Sequence, residues 1–164
     1  MSTYARIRRA KADDVDSVQA CARAAYAKYV ERIGREPAPM VADFARQIEL
    51  GVVRVAEVES SVVGYVVYFA EGDHIHLENI AVHPTHAGSG IGRRLMEHVE
   101  QEAMSGGFAA VELYTNEAMT ENLSLYPKLG YLETDRRRQD GFDRVFFRKN
   151  LRSQQKGRGS HPEG

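Results

Sequence analysis

The sequence predicts an α/β domain built on a mixed, twisted sheet of six to seven strands flanked by about four helices. Short β-branched and aromatic segments alternate with segments whose apolar residues recur every three or four positions, the spacing of one helix face. The chain has 164 residues, a length typical of one domain. Its composition, 43% hydrophobic and 27% charged, is that of a soluble globular protein.

Charge and cysteine content argue against several classes of function. Lysine and arginine number 22 and aspartate and glutamate 23, so the net charge of −1 gives no reason to expect nucleic acid or a membrane surface as a partner. The one cysteine, Cys21, cannot form an internal disulfide, and we expect a small core residue. The N-terminus lacks an apolar signal-peptide core, and the apolar run Val62–Ala70 is far shorter than a membrane span. We therefore expect a soluble, cytoplasmic protein.

The first half of the chain is predicted to form a strand, two helices and a hairpin. In order, the segments are a strand over Tyr4–Arg9, a helix from Asp13 to Ile33 ended by Gly34, a helix over Val41–Leu50, and strands over Val52–Glu59 and Val62–Ala70. Pro37 and Pro39 separate the two helices. Ser60-Ser61 is predicted to join the two strands in an antiparallel hairpin.

The second half is predicted to alternate strands and helices. In order, the segments are a strand over Ile75–Val82, a helix over Ile91–Met104, a strand over Ala109–Thr115, a helix over Glu121–Leu129, and strands over Tyr131–Arg138 and Arg144–Lys149 around Asp140-Gly141. The order β-α-α-β-β-β-α-β-α-β-β requires a mixed sheet. We assign residues 1–151 to the domain and residues 152–164, which are polar, to a disordered tail.

The most informative segment runs from Leu77 to Met96. It reads as an apolar strand, a proline turn, three glycines in five residues and then a helix. A helix N-terminus offers unpaired amides and a positive dipole end, and glycines let that backbone wrap closely around an anion. Arg93 and Arg94 add positive charge at the same place. The segment predicts a pyrophosphate-binding loop, and the alternative is a plain flexible turn.

The spacing of the glycines argues against two common phosphate ligands. The ATP-binding P-loop requires a lysine followed by serine or threonine, and no lysine follows these glycines. The dinucleotide pattern Gly-x-Gly-x-x-Gly also fails, because its third glycine falls on Arg93 when counted from Gly88 and on Leu95 when counted from Gly90. The remaining candidate ligand is a diphosphate that belongs to neither ATP nor a nicotinamide dinucleotide.

Two segments resemble a known family. Val82–Met96 resembles the acetyl-CoA signature of the GNAT N-acetyltransferase superfamily, Arg/Gln-x-x-Gly-x-Gly/Ala, with Gly90 and Gly92 at its two small positions. The leading Arg/Gln of that signature falls on Ala87, which is a departure. Asn122–Tyr131 resembles the downstream family motif that ends Leu-Tyr-x-Lys-Leu-Gly-Phe/Tyr.

The resemblance covers roughly Tyr4–Leu151 and implies the acyl-CoA N-acyltransferase (GNAT) fold, with acetyl-CoA as co-substrate. It implies transfer of an acetyl group to a primary amine by direct attack in a ternary complex. The residues that match the family's cofactor site are Ile80, Ala81, Val82, Ala87, Gly88, Ser89, Gly90, Ile91, Gly92, Arg93 and Asn122. Two alternatives stay open: a non-catalytic module that senses acyl-CoA, and a binding domain whose loop holds another phosphate.

The six histidines lack zinc-ligand spacing, so we expect no metal.

The resemblance also suggests the catalytic residues. Glu78 matches the position of a general base, although a glutamate there could instead pair with a cation or face water. His76 and His83 are alternative bases because histidine titrates near neutral pH. Tyr126 matches the tyrosine that donates a proton to the departing CoA sulfur, a role compatible with packing on the sheet. Asn122 could hydrogen-bond the pantetheine or phosphate region of the cofactor, or it could cap its helix; the family often has alanine at this position.

The acceptor is expected to be a small-molecule or peptide amine, and a homodimer is reasonable for the family. Candidate acceptor residues are Tyr29, Met40 and Tyr114, with helix-core packing as the alternative for Tyr29. Strand alternation places Arg136 and Arg138 on one face of their strand and Arg137 on the other. We expect a charged edge strand there, and the alternative is that one arginine meets a carboxylate on the acceptor.

Overall fold

The computed structural model describes residues 4–151 and confirms the predicted order of strands and helices. The strands are β1 (Arg6–Arg9), β2 (Val53–Val58), β3 (Ser61–Glu71), β4 (His74–Val82), β5 (Ala110–Asn116), β6 (Leu132–Gln139) and β7 (Phe142–Asn150). The α-helices are α1 (Val15–Ile33), α2 (Phe44–Glu49), α3 (Ile91–Ser105) and α4 (Thr120–Lys128). Within this range no helix is both long and apolar enough to cross a lipid bilayer. The predicted tail, 152–164, lies outside the described residues.

The seven strands belong to one mixed sheet in the order β1-β2-β3-β4-β5-β7-β6. β4 and β5 run parallel, with His74–Leu77 paired to Ala110–Leu113. β5 pairs antiparallel with β7, and β7 pairs antiparallel with β6, which forms one edge of the sheet. Seven strands and four α-helices among the described residues confirm the predicted α/β fold class.

The chain divides into two compact units. Unit 1 comprises the residues up to Phe69 together with Glu78–Glu97. Unit 2 comprises Ala70–Leu77 together with the residues from His98 onward. The boundary therefore falls inside β4 and inside α3.

The core of unit 1 includes residues of α1, β2, β3 and the first turns of α3. β3 is buried continuously over Val63–Tyr68, as expected of a strand covered on both faces. On α1 the buried residues Val18, Cys21 and Ala22 recur at helical spacing. Cys21 is only 1% exposed, and burial raises the pKa of its thiol to about 12. The prediction that Cys21 is a core residue is therefore confirmed.

An ion-pair network in unit 1 joins β1 to β2 and to the residues just before α1. The guanidinium of Arg8 donates to both carboxylate oxygens of Asp14, at 2.8 and 3.0 Å, and to Glu57 at 3.2 Å. The backbone amide of Lys11 donates to the same carboxylate at 2.7 Å. These hydrogen bonds, led by the one from Arg8, lower the pKa of Asp14 below its ordinary value.

The core of unit 2 forms around β5 and β7. Val111 and Leu113 are buried on β5 and alternate with half-buried neighbours. On β7, Val145 and Phe147 are buried on either side of the half-buried Phe146, and β7 pairs with β5 along its length. Val99 of α3 is fully buried in this unit. One face of the β5–β7 ladder is therefore apolar, and the other carries polar and aromatic side chains.

Two local details differ from the sequence predictions. The β2–β3 turn is Glu59-Ser60, which have φ values of 50° and 71°, so it lies one residue before the predicted Ser60-Ser61. The helix predicted over Val41–Leu50 is shorter, because a 3₁₀ turn over Ala38–Val41 precedes it and Asp43 caps α2 by accepting from the amide of Arg46 at 3.0 Å.

Candidate functional site

The buried face of β4 in unit 1 is organised around Asn79, a residue that the sequence analysis did not single out. The phenol of Tyr65 donates to its side-chain oxygen at 3.0 Å, and the phenol of Tyr26 shares its one proton between that oxygen at 3.2 Å and the carbonyl of Ile80 at 2.9 Å. Its nitrogen donates to the carbonyl of Pro39 at 3.2 Å. An asparagine in alternation with the apolar residues Ile75, Leu77 and Ala81 was the available signal, because a buried amide must find partners. Asn79 therefore links β4 to α1, to β3 and to the loop before α2.

The other face of β4 carries the predicted base. Burial alternates along the strand, so Glu78, Ile80 and Val82 are half-buried, whereas Asn79 and Ala81 are buried. Glu78 thus lies on the strand at the same end of β4 as Ile80, Ala81 and Val82, which are predicted to bind the cofactor.

The loop between β4 and α3 begins with a tight 3₁₀ turn over Pro84–His86. The amide of Ala87 donates to the carbonyl of Pro84 at 3.1 Å, and the amide of Ser89 donates to that of His86 at 3.3 Å. The Ser89 hydroxyl donates to the same His86 carbonyl at 2.5 Å. Ala87 and Ser89 match the family's cofactor site, but the turn itself uses their amides.

The first turn of α3 provides the remaining donors. Its first backbone hydrogen bond runs from the amide of Arg94 to the carbonyl of Gly90 at 3.1 Å. The amides of Ile91, Gly92 and Arg93 precede that bond, and a helix supplies no carbonyls for amides in its first turn. Gly88 and Gly90, with φ values of 79° and 87°, adopt left-handed conformations that other residues avoid. Both glycines are exposed, so the end of α3 is open to an anion.

Close packing positions this helix start in unit 1. Ile91 and Leu95 are buried at 4% and 0% exposure. A Cβ on Gly64 of β3 would lie 3.4 Å from each of those side chains and 3.0 Å from the carbonyl of Ala81. The absence of a side chain at Gly64 therefore lets α3 approach the sheet beside the end of β4.

The two arginines at the start of α3 have different surroundings. Arg93 is exposed. Arg94 instead donates to the carbonyl of Ala5, and its guanidinium lies 4.6 Å from the ring centroid of Tyr4. The expectation that both arginines add charge to the loop is therefore wrong for Arg94, which anchors the N-terminal segment.

The predicted alternative bases have other contacts. Nδ1 of His83 accepts from the amide of Thr85 at 3.2 Å, so this ring caps the turn after β4. His76, in unit 2, packs against Tyr114 with ring centroids 5.7 Å apart.

Among residues 4–151, no three His, Cys, Asp or Glu side chains are grouped to hold a metal ion.

Tyr126, the predicted acid, lies on α4 in unit 2. It is 6% exposed, and its ring packs on Tyr131 and Phe147 with centroids 6.0 and 5.7 Å apart. The Tyr131 phenol donates to Glu100 at 2.8 Å, and Lys149 donates to the same carboxylate at 2.9 Å. Burial, with the Glu100 charge, raises the pKa of Tyr131 well above its ordinary value. Tyr126 thus packs on the ring of Tyr131, which is held in place by its hydrogen bond to Glu100.

Asn122 lies one turn before Tyr126 on α4. Its side-chain nitrogen donates to the hydroxyl of Thr115 at 3.0 Å. The N-cap of α4 is Met119, which makes no side-chain cap hydrogen bond. The helix-cap alternative for Asn122 is therefore wrong, because a cap requires a side-chain acceptor at the N-cap position.

The three candidate acceptor residues divide between the units. Tyr29 and Met40 are buried in unit 1, at 6% and 7% exposure. Tyr114 is half-buried on β5 in unit 2, with its ring centroid 5.4 Å from that of Phe146.

The arginine run on β6 follows the predicted alternation. Arg136 pairs with Glu133 at 2.7 Å and Arg138 with Asp143 at 3.1 Å, both exposed. Arg137 instead lies with its guanidinium 3.9 Å from the ring centroid of Phe146. β6 is an edge strand of the sheet, as predicted.

Solved structures share this fold. The PaiA N-acetyltransferase of Thermoplasma acidophilum, determined in complex with coenzyme A, superposes with a TM-score of 0.76 at 18% identity, covering 92% of this chain and 99% of that one. The ribosomal-protein-S18-alanine N-acetyltransferase of Escherichia coli gives 0.74 at 22% identity, covering 90% and 94%. At such identities the likeness establishes the fold.

Sequence comparison identifies the family. An IAA acetyltransferase of Azospirillum brasilense is 35% identical over 70 residues, which are 43% of this chain and 46% of that relative. The match thus spans less than half the length of this curated relative. The sequence profile of the acetyltransferase (GNAT) family matches residues 18–131, which is most of the chain and includes the glycine loop, Glu78 and Tyr126. The chain therefore belongs to the acetyltransferase (GNAT) family.

Proposed function

We propose that the chain transfers an acetyl group from acetyl-CoA to a primary amine by direct attack in a ternary complex. The observation that carries this proposal is the start of α3, where the amides of Ile91, Gly92 and Arg93 have no helix carbonyls and adjoin exposed glycines. Such a helix end fits a diphosphate, because its amides donate to the oxygens and its dipole favours negative charge. Family membership supports the diphosphate of coenzyme A.

The backbone of β4 is proposed to hold the acyl end. Acetyl-CoA, when bound, supplies a thioester whose carbonyl oxygen gains negative charge during attack. Amides within Ile80–Val82 are the proposed donors to the pantetheine arm and to that oxygen. The hydrogen bond from Tyr26 to the carbonyl of Ile80, at 2.9 Å, supports this role because it fixes the orientation of the peptide group that follows Ile80.

Glu78 is proposed to act as the general base, directly or through a water molecule. An amine acceptor is protonated at neutral pH and must lose a proton before it becomes nucleophilic. The half-buried carboxylate of Glu78 lies on a rigid strand, as a proton acceptor should. His83 is a weaker candidate because its Nδ1 already accepts from Thr85.

Tyr126 is proposed to protonate the thiolate that leaves. Its ring is packed on Tyr131 and Phe147, which restricts the positions of its hydroxyl. Asn122 is proposed to accept a hydrogen bond from the pantetheine arm through its side-chain oxygen, because its nitrogen already donates to Thr115.

The acceptor is proposed to be a small-molecule amine or the amine of a peptide. Tyr114 is the candidate acceptor residue with the most open surroundings, since Tyr29 and Met40 are buried. Tyr29 and Met40 are proposed to pack behind the residues that form the wall of the acceptor site.

The test compares Glu78→Gln and Tyr126→Phe with the unaltered chain. Turnover is followed as release of free thiol from acetyl-CoA in the presence of a panel of amines, and acetyl-CoA binding is followed by thermal shift. We expect each variant to lose about 100-fold or more in turnover, the usual contribution of a positioned acid or base. Binding of acetyl-CoA should be retained.

Two matched variants, Glu97→Gln and Tyr4→Phe, change an exposed glutamate and an exposed tyrosine and should leave turnover unchanged. Thermal stabilisation by acetyl-CoA without turnover of any amine would instead support the non-catalytic sensing module. Stabilisation by ATP or NAD and none by acetyl-CoA would contradict the proposal as a whole.

A further inference from the structure

Unit 2 contains a cavity of about 370 Å³ on the polar and aromatic face of its strands. Its lining includes His76 of β4, Tyr114 of β5, Phe146 of β7 and Arg137 of β6, and also Glu71 and Glu112. The volume falls in the range of small-molecule binding sites, which are typically lined by aromatic side chains and a few polar groups.

Three aromatic rings in the cavity form a continuous row across the strands. The ring centroids of His76 and Tyr114 are 5.7 Å apart, and those of Tyr114 and Phe146 are 5.4 Å apart. Tyr114 and Phe146 are direct partners in the β5–β7 register. Cross-strand aromatic pairs of this kind are rigid, so the row offers a preformed surface for the apolar body of a ligand.

The positive groups beside this row are already engaged. Arg137 stacks on Phe146 with 3.9 Å between guanidinium and ring centroid, and it donates to Asp135. Arg144 lies 4.2 Å from the ring centroid of Tyr114 and donates to Gln139 at 2.8 Å. Asp135 also lines the cavity, and its carboxylate beside Arg137 would repel an anionic ligand there. The arrangement therefore disfavours a carboxylate on the ligand.

The two glutamates of the lining have carboxylates close to each other. Glu71 and Glu112 each place a carboxylate oxygen next to the same nitrogen of His74, at 3.2 and 3.3 Å. One ring nitrogen carries one proton at most, so it cannot donate fully to both. Arg148 pairs with Glu112 at 2.5 Å, whereas the cation next to Glu71 is His74. Two carboxylates at one nitrogen are the arrangement that an additional cation stabilises.

We propose that this cavity binds a cationic amine with an apolar body, its ammonium group against Glu71 and Glu112 and its body along the aromatic row. The inference rests on the proposed function, because the acceptor in that reaction is itself an amine. It narrows the acceptor to amines that carry an alkyl or aryl portion, and it disfavours acceptors that carry a carboxylate.

The test measures binding directly, by calorimetry on the full chain without acetyl-CoA. The probes are phenethylamine and cadaverine, and the matched anions are phenylpropanoate and glutarate. We expect the two amines to bind and the two anions not to bind. Glu71→Gln should weaken amine binding about tenfold, the loss of one charge-assisted hydrogen bond. Glu71 is exposed, so this change should not affect folding.

Glu49→Gln is the matched control, because Glu49 is an exposed glutamate on α2 and should leave amine binding unchanged. Binding of the anions in place of the amines would overturn the inference, as would equal amine affinity in Glu71→Gln and the unaltered chain. Failure of the proposed function is a separate result, namely amine binding with no response to acetyl-CoA in the thermal-shift assay.

Discussion

The phenol of Tyr26 donates a hydrogen bond to the main-chain carbonyl of Ile80 at 2.9 Å. The same phenol lies 3.2 Å from the side-chain oxygen of Asn79. α1 is thereby fixed to the end of β4 that is proposed to hold the thioester, so a residue of the helix core also supports the site.

Tyr26→Phe removes this hydrogen bond and keeps the ring. Because it leaves a part-buried carbonyl unsatisfied, we expect the free energy of unfolding to fall by about 1–2 kcal/mol. Affinity for acetyl-CoA should fall several-fold, as the peptide group after Ile80 loses its fixed orientation. Chemical denaturation and calorimetry measure the two effects. Tyr4→Phe, at an exposed tyrosine, is the control, and equal acetyl-CoA affinity in both variants would contradict the prediction.

Arg93 and Arg94 are adjacent but should respond differently to substitution. Arg93→Gln removes an exposed charge beside the proposed diphosphate site, so acetyl-CoA should bind several-fold more weakly at low salt, and the difference should shrink as salt is added. Arg94→Gln should instead cost about 1 kcal/mol of stability, since it loses the Ala5 carbonyl and the Tyr4 ring. Salt-dependent binding that is lost in Arg94→Gln and kept in Arg93→Gln would reverse these assignments.

Gly64→Ala tests the close packing of α3. The added Cβ meets Ala81, Ile91 and Leu95 at 3.0–3.4 Å, which should cost about 1–3 kcal/mol and weaken acetyl-CoA binding by displacing the first turn of α3. Gly34→Ala is the control, because its Cβ has open space and its cost of about 1–2 kcal/mol comes only from the positive φ. We expect the two variants to lose similar amounts of stability. Only Gly64→Ala should also lose affinity for acetyl-CoA.

Asp14→Asn should reveal a pH-dependent contribution to stability. Its pKa is lowered in the folded chain, chiefly by the hydrogen bonds from Arg8. The folded state therefore binds the proton less tightly than the unfolded chain, and the stabilisation is fully present above the unfolded pKa of about 4. We expect a deficit of about 1–3 kcal/mol at pH 7 that narrows as the pH falls through the folded pKa. Urea denaturation at several pH values measures it, and a deficit independent of pH would contradict the prediction.

The sequence predicts the order of elements well because the strong signals are local. The apolar spacing of α1 and the glycine that follows it predict the end of that helix at Ile33 and its start to within two residues. The β2–β3 turn is displaced to Glu59-Ser60 because the left-handed conformation there is set by strand register, which a local pattern does not encode.

The candidate site is predicted less completely, since its contacts are distant in the sequence. The glycine loop follows from its own residues. The diversion of Arg94 to Ala5 and the loss of the Ala87 and Ser89 amides to the preceding turn depend on tertiary and turn geometry. Asn79 was missed because its three partners come from other segments.

The central claim is that the first-turn amides of α3 bind the diphosphate of acetyl-CoA. The most direct measurement is a titration of the ¹⁵N-labelled chain with acetyl-CoA, followed by amide chemical shifts. The account predicts large, saturable shifts at Gly90, Ile91, Gly92 and Arg93, with the Gly106 and Gly107 amides at the other end of α3 unmoved. Saturable binding that leaves the Gly90–Arg93 amides unshifted would contradict it.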